Sequence, residues 1–293
     1  PESPMLKKVI PQRRVSLGAF EVGRVLPYVQ QRMVGPFIFW DHIGPAEVAA
    51  GVPASADVRP HPHIGLATVS YLFEGAMTHR DSVGSEQVIR PGDVNWMVAG
   101  SGITHSERFE DLRRRGGRLH GIQAWVALPV EQEEIAPSFH HHPAASLPRY
   151  TSGGLQASLI AGRAFGAESP VAVASPMFYV HWQLAAGALA ELPAEYPERA
   201  AYIAEGEVEV LGARYGAGQM LVFDAGAPIR FRAERPSTVL LLGGEPVGPR
   251  YIDWNFVSSR RERILQARAD YQAGRMKLPD LDGGEFIPLP PAP

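Results

Sequence analysis

The chain has 293 residues, 45% hydrophobic and 20% charged, which is long enough for two globular domains that each bury a core. A formal net charge of -3 leaves no electrostatic footprint for direct nucleic-acid binding, and the absence of cysteine excludes disulfide frameworks, thiolate zinc sites and cysteine nucleophiles. No apolar run approaches the ~18 residues of a membrane span. Pro1-Glu2-Ser3-Pro4-Met5-Leu6-Lys7-Lys8 lacks the apolar stretch of a signal peptide, so a cytoplasmic location is expected.

The 30 glycines and 27 prolines suit short strands and tight turns. In chain order, strands are predicted over 66–73, 77–83, 87–89, 94–98 and 119–128. They are separated by Glu74-Gly75, Gly84-Ser85, Arg90-Pro91-Gly92-Asp93 and Gly100-Ser101-Gly102. Strands at this spacing indicate a sandwich or barrel. From 129 to 154 the pattern gives way to a Pro-, His- and Ser-rich stretch. The domain reading is therefore 1–140, a connector at 141–154, and 155–293. His140-His141-His142 is read as a solvated loop, and Arg113-Arg114-Arg115 and Arg260-Arg261-Glu262-Arg263 as solvated faces.

The second half repeats the style of the first. Ala201-Tyr202-Ile203-Ala204-Glu205-Gly206 resembles Ser70-Tyr71-Leu72-Phe73-Glu74-Gly75, and a Gly-led strand at Gly218 matches one at Gly92. Near the end, Ser259-x-x-Glu262 has the form of a capping box, Ile264, Ala267 and Tyr271 follow at helical spacing, and Gly274 suits a C-cap, which predicts a short helix over 259–274. The Pro-rich tail, 285–293, is expected to be an extended strap.

Two phrases carry the chemistry: Arg59-Pro60-His61-Pro62-His63-Ile64-Gly65 and Gly102-Ile103-Thr104-His105-Ser106-Glu107. Each sets two metal-competent side chains at i and i+2, which share a face on a strand. Two such strands facing each other inside a barrel would bring three imidazoles and one carboxylate to a single point. That donor set suits Fe(II), Ni, Mn, Cu or Zn, and an octahedral ion would keep two positions for water, O2 or an organic substrate. Pro60 and Pro62 cannot donate ladder hydrogen bonds, which places this strand at an edge. His79 is read as a residue beside the site rather than a ligand, and His120 and Gln123 as residues that orient ligands through hydrogen bonds. Asp41-His42 is read as turn chemistry, and His181 as lacking a partner.

The HxH pair, the strand ending Glu-Gly, the Pro-Gly-Asp turn and the later His resemble the cupin double motif. The finer text resembles the pirin family of bicupins, through Asp41-His42-Ile43-Gly44-Pro45, the His61 and His105 phrases, His79-Arg80-Asp81-Ser82, Gly92-Asp93-Val94-Asn95-Trp96-Met97 and Leu119-His120-Gly121-Ile122-Gln123-Ala124-Trp125. The resemblance implies an all-β chain of two tandem jelly-roll-like cupin barrels with a short C-terminal helix. It implies one metal, Fe(II) favoured, held by His61, His63, His105 and Glu107. Ordinary cupins place their Glu where this chain has Thr68; Glu107 supplies the carboxylate instead, as in pirins. The second half has no HxH before Tyr202 and no His after Met220, so its barrel is expected to be metal-free. The family implies two roles. Bacterial members are similar to quercetin 2,3-dioxygenases, which open a flavonol ring with O2 and release carbon monoxide; there Glu107 would take the hydroxyl proton. Animal members are described as iron-dependent transcriptional co-regulators, which would make the partner a protein.

Overall fold

The computed structural model describes residues 5–17 and 20–292. Pro1–Pro4 of the N-terminal phrase and Pro293 of the tail lie outside the described residues. The chain divides into two compact units. One gathers 5–15, 23–42 and 145–247; the other gathers 16–17, 20–22, 43–144 and 248–292. Each unit draws on segments from distant parts of the chain. Among the described residues, no helix is long and apolar enough to cross a membrane.

The unit that contains His61 is built on two sheets. The smaller has the strand order Val58–His63, Ile103–Arg108, Met77–Asp81, Glu86–Ile89. The larger runs Ser138–His142, Val94–Val98, Leu66–Glu74 and Gly117–Ala127. Five of these strands fall within two residues of the spans predicted for them, because alternating apolar residues bounded by Gly and Pro define them locally. The Pro-bearing strand is an edge strand, as its missing N–H donors require.

The other unit repeats this plan. Leu189–Leu192, Ile229–Ala233, Glu207–Val210 and Ala213–Gly216 form its small sheet. Leu6–Pro11, Gln219–Phe223, Glu198–Glu205, Ser237–Gly244 and Met177–Leu184 lead its large one. The repeat holds at single-residue level. Gly75 and Gly206 both follow the Glu of the hairpin with φ of 93 and 90, a region where a side chain is strained. Gly92 N–H bonds Leu72 O at 2.9 Å, and Gly218 N–H bonds the matching Ile203 O at 2.8 Å. Its hydrophobic core includes Trp182, Phe223, Phe231, Leu221 and Leu241.

Four expectations are corrected. The Pro-, His- and Ser-rich stretch 129–154 contains the strand Ser138–His142, paired with Val94–Val98, so the histidine tract is a sheet edge and not a solvated loop. Its polar composition hid the strand. Asp41 lies within a strand and pairs bidentately with Arg24 at 2.8 and 2.9 Å, which exceeds turn chemistry. Among the arginines, Arg114 and Arg115 are exposed as read, but Arg113 bonds the buried Asp57 and Val52 O, and Arg263 pairs with Glu134 at 2.8 Å. A short helix, Glu110–Arg115, accompanies them.

The fourth concerns the C-terminal helix. It runs Arg261–Gln272 and buries Ile264, Ala267 and Tyr271 as the spacing predicts. The capping box does not form. Ser259 Oγ donates to Glu133 at 3.1 Å, and Glu133 also accepts from Ser259 N–H at 3.0 Å and pairs with buried Arg250 at 3.1 Å. Glu133→Ala would strand the buried Arg250 cation and is expected to destabilise the fold by about 3–5 kcal/mol. Glu262→Ala should change stability by less than about 0.5 kcal/mol, since Glu262 is exposed. Urea denaturation of the two variants separates these outcomes.

Candidate metal centre

His61 and His63 project from the edge strand, and His105 from its neighbour, where His105 pairs in register with His61 and Ile103 with His63. The two ligand-bearing strands are thus adjacent in one sheet. They do not face each other across a barrel as the sequence suggested. The i, i+2 rule still converges the side chains, because paired residues of antiparallel strands point to the same face. All three imidazoles are buried, at 7%, 2% and 1% exposure. One nitrogen from each lies within 4.8 Å of the other two, and His63 Nε2 is 3.2 Å from His105 Nε2.

The outward nitrogens explain the inward ones. His61 Nδ1 lies 2.8 Å from Arg59 O, and His63 Nδ1 lies 3.1 Å from Asn255 O. A carbonyl accepts only, so each ring carries its proton on Nδ1 and turns a bare Nε2 lone pair inward. His105 is governed by a longer chain. Asp81 Oδ2 accepts from His79 Nε2 at 2.6 Å, and His79 Nδ1 then faces His105 Nδ1 at 3.5 Å. Asp81 Oδ1 accepts the N–H groups of Val83 and Ser85, both at 3.0 Å.

Electrostatics support the same state. Burial pushes His61 down to about 4, and burial with repulsion from neighbouring rings holds His63 and His105 well below the ordinary imidazole value. Neutral imidazoles with converging lone pairs are the donor chemistry that a borderline transition metal takes, so these residues fit such an ion.

Glu107 lies two residues beyond His105. A bulge separates them, so Glu107 pairs with Val58 on one side and His79 on the other. Bulges re-aim side chains. Its carboxylate is not within the tight cluster of three nitrogens. It is buried, and burial raises its pKa against the opposing influence of His79 and Ser70. Ser70 Oγ lies 3.3 Å from Glu107 Oε2 and 2.6 Å from Gln123 Oε1, which links Gln123 to the carboxylate through a residue that the sequence reading missed. His120 packs against Phe73 and lies 3.8 Å from Glu74. His79 stacks on Phe139, with centroids 4.1 Å apart and planes at 12°, and Trp125 meets the His63 ring edge-on at 5.2 Å.

The opposite face of the His105 strand is latched. Thr104 donates to Lys277 O at 2.5 Å and Ser106 to Asp282 at 2.5 Å. Arg108 holds Asp282 through two bonds of 2.9 Å and Glu285 at 3.0 Å. The tail crosses the edge strand, where Ile287 N–H bonds Pro60 O at 2.8 Å, as expected for a strap.

These shifts set a pH dependence for the metal-free protein. Each of the three histidines has a folded pKa below its unfolded value near 6.5, so the unfolded chain binds more protons as pH falls, and stability drops. Glu107, raised, acts in the opposite sense but is one group against three. Stability of the apo protein is therefore expected to decline from about pH 6.5 towards about pH 4. A flat urea midpoint over that window would contradict this assignment.

Similarity to known proteins agrees with this geometry. The Pirin family matches residues 19–126, and the Pirin C-terminal cupin domain matches 179–277. A pirin-like protein of Caulobacter vibrioides is 67% identical over 98% of this chain and 100% of its own. A Pseudomonas aeruginosa protein whose name carries quercetin 2,3-dioxygenase as a provisional activity is 35% identical over 99% of this chain and 91% of its own. The crystal structure of a quercetin 2,3-dioxygenase from Acinetobacter baumannii superposes with a TM-score of 0.89 at 34% identity, covering 98% of this chain and 95% of that one. The fold is that of two cupin domains, and the chain belongs to the pirin family.

Proposed function

We propose that the chain is a mononuclear metal-dependent dioxygenase of the quercetin 2,3-dioxygenase type, acting on flavonol-like phenols with O2. The observation that carries this reading is the cluster of three buried, neutral imidazoles, with a buried carboxylate two residues beyond His105 on the same strand. His61, His63, His105 and Glu107 would hold the ion, with Fe(II) favoured over Ni, Mn, Cu or Zn. Three histidines and one carboxylate leave an octahedral ion with open positions, unlike the closed sites of structural zinc. The names of the Pseudomonas and Acinetobacter relatives support the substrate class.

The bound metal would supply Lewis acidity and a common meeting point for a phenolic oxygen and O2. The chain's residues supply the rest. Glu107 is the base for the substrate hydroxyl. Burial raises its proton affinity, which suits it to accept a phenolic proton. Ser70 lies against its Oε2 and, together with Gln123, limits where the carboxylate can point. Trp125 and Phe139 give the site aromatic walls that exclude water and match a flat ring.

The test is anaerobic purification with elemental analysis, followed by O2 uptake and absorbance change with quercetin in air. About one metal per chain and metal-dependent turnover are expected. Glu107→Gln should lower kcat by about 10²–10⁴-fold, the contribution of a general base. Full turnover by Glu107→Gln, or none by the metal-loaded wild type, would contradict the reading. Oxidation-dependent binding of a protein partner without turnover would favour the co-regulator role instead.

A further inference from the structure

The interior of the metal-bearing barrel carries more polarity than four ligands account for. Gln123, Ser70, Asn95 and His141 stand in register across four strands of its large sheet. Paired residues of antiparallel strands share a face, and the bonds between Ser70 and Gln123 at 2.6 Å and between His141 and Asn95 at 2.7 Å agree. The face is the one that meets Glu107, because Ser70 approaches that carboxylate.

The second barrel is an internal control. The same register positions there are Leu241, Ala201, Leu221 and Val9. The first three belong to its buried hydrophobic core, and Val9 packs against it. Positions matching the metal site are equally apolar. Ala190, Leu192, Phe231 and Ala233 stand where His61, His63, His105 and Glu107 do in the other small sheet. The fold closes with apolar residues at every one of these positions. Burying polar groups costs free energy unless they are paired, so the polar row of the metal barrel serves something other than folding.

Two amide nitrogens of that row carry no hydrogen bond to the described residues. Gln123 Oε1 lies against the Ser70 hydroxyl, and Asn95 Oδ1 against His141 Nδ1. Among the described residues, no hydrogen bond engages Gln123 Nε2 or Asn95 Nδ2, although Asn95 is only 4% exposed. A side-chain amide offers two N–H donors. Asn95 and Gln123 flank Ser70 on neighbouring strands, about 4.8 Å to either side. His141 is braced in turn, with Nε2 3.6 Å from Asp93 Oδ2, while Asp93 Oδ1 accepts Ala144 N–H at 2.9 Å.

We propose that Asn95 and Gln123 determine specificity: their free N–H groups receive acceptor oxygens of an aromatic substrate on either side of the oxygen that meets Glu107. Ser70 and His141 hold the two amides in the donating orientation. The site therefore selects rings bearing further hydroxyl or carbonyl oxygens, and it discriminates against the bare ring, which would cover these donors without pairing them. This inference rests on the phenolic-substrate reading of the same site.

The experiment measures dissociation constants of Fe(II)-loaded protein, under anaerobic conditions, for quercetin and for unsubstituted 3-hydroxyflavone, by quenching of tryptophan fluorescence. Wild type is expected to prefer quercetin by about tenfold or more, the scale of one or two hydrogen bonds. Asn95→Leu and Gln123→Leu install the residues that the second barrel uses at those positions. Each should retain the metal and cut the preference to about twofold or less. Asn95→Asp removes the N–H donors without changing size and should do the same, which covers a leucine variant that fails to fold. Equal binding of both ligands by wild type, or a full preference in metal-loaded variants, would overturn the specificity role alone. Binding of neither ligand by wild type would overturn the functional reading and the specificity role with it.

Discussion

The Ile103–Arg108 strand works on both faces, and the candidate site depends on that alternation. Inward, His105 joins His61 and His63 in the cluster of three imidazoles, and Glu107 lies buried two residues beyond it. Outward, Thr104, Ser106 and Arg108 are tied to the segment around Lys277, Asp282 and Glu285. A strand whose side chains alternate can carry both only if its register is held, since a slip of one residue would exchange the faces. The latch therefore sets the positions of His105 and Glu107 as surely as the pairing with His61 does. The same C-terminal region reaches the edge strand through Ile287 and supplies the Asn255 carbonyl that orients His63.

The comparison of the two barrels separates what the fold requires from what the chemistry requires. Both have the same strand order, the same Glu-Gly turn and the same Gly-led strand. One fills its interior with Leu, Val, Phe and Trp. The other replaces matching positions with histidines, a carboxylate, amides and a hydroxyl. That exchange costs stability, because buried polar groups must each find partners. The partners are visible: carbonyls for His61 and His63, Asp81 for His79, Gln123 for Ser70 and Asn95 for His141.

Much of this was legible in the sequence. The period of two in a strand put His61 with His63 and His105 with Glu107, and the prolines marked an edge. The Glu-Gly hairpins exposed the repeat. Other features leave no local signal. Whether two strands are neighbours or face each other is a matter of topology, and spacing does not carry it. Backbone carbonyls such as Arg59 O and Asn255 O have no side-chain signature. The Ser138–His142 strand has no apolar alternation, so its sequence does not announce that Phe139 stacks on His79 or that His141 bonds Asn95. Ser259 looked like a helix cap because its neighbour Glu262 has the right spacing; a buried carboxylate more than a hundred residues away, Glu133, takes it instead.

The most direct test of the ligand assignment is X-ray absorption at the metal edge of the Fe(II)-loaded protein. Three imidazole nitrogens and a carboxylate oxygen are expected around the ion, falling to two imidazoles in His105→Ala. A spectrum with one imidazole or none, or one that His105→Ala leaves unchanged, would contradict the site described.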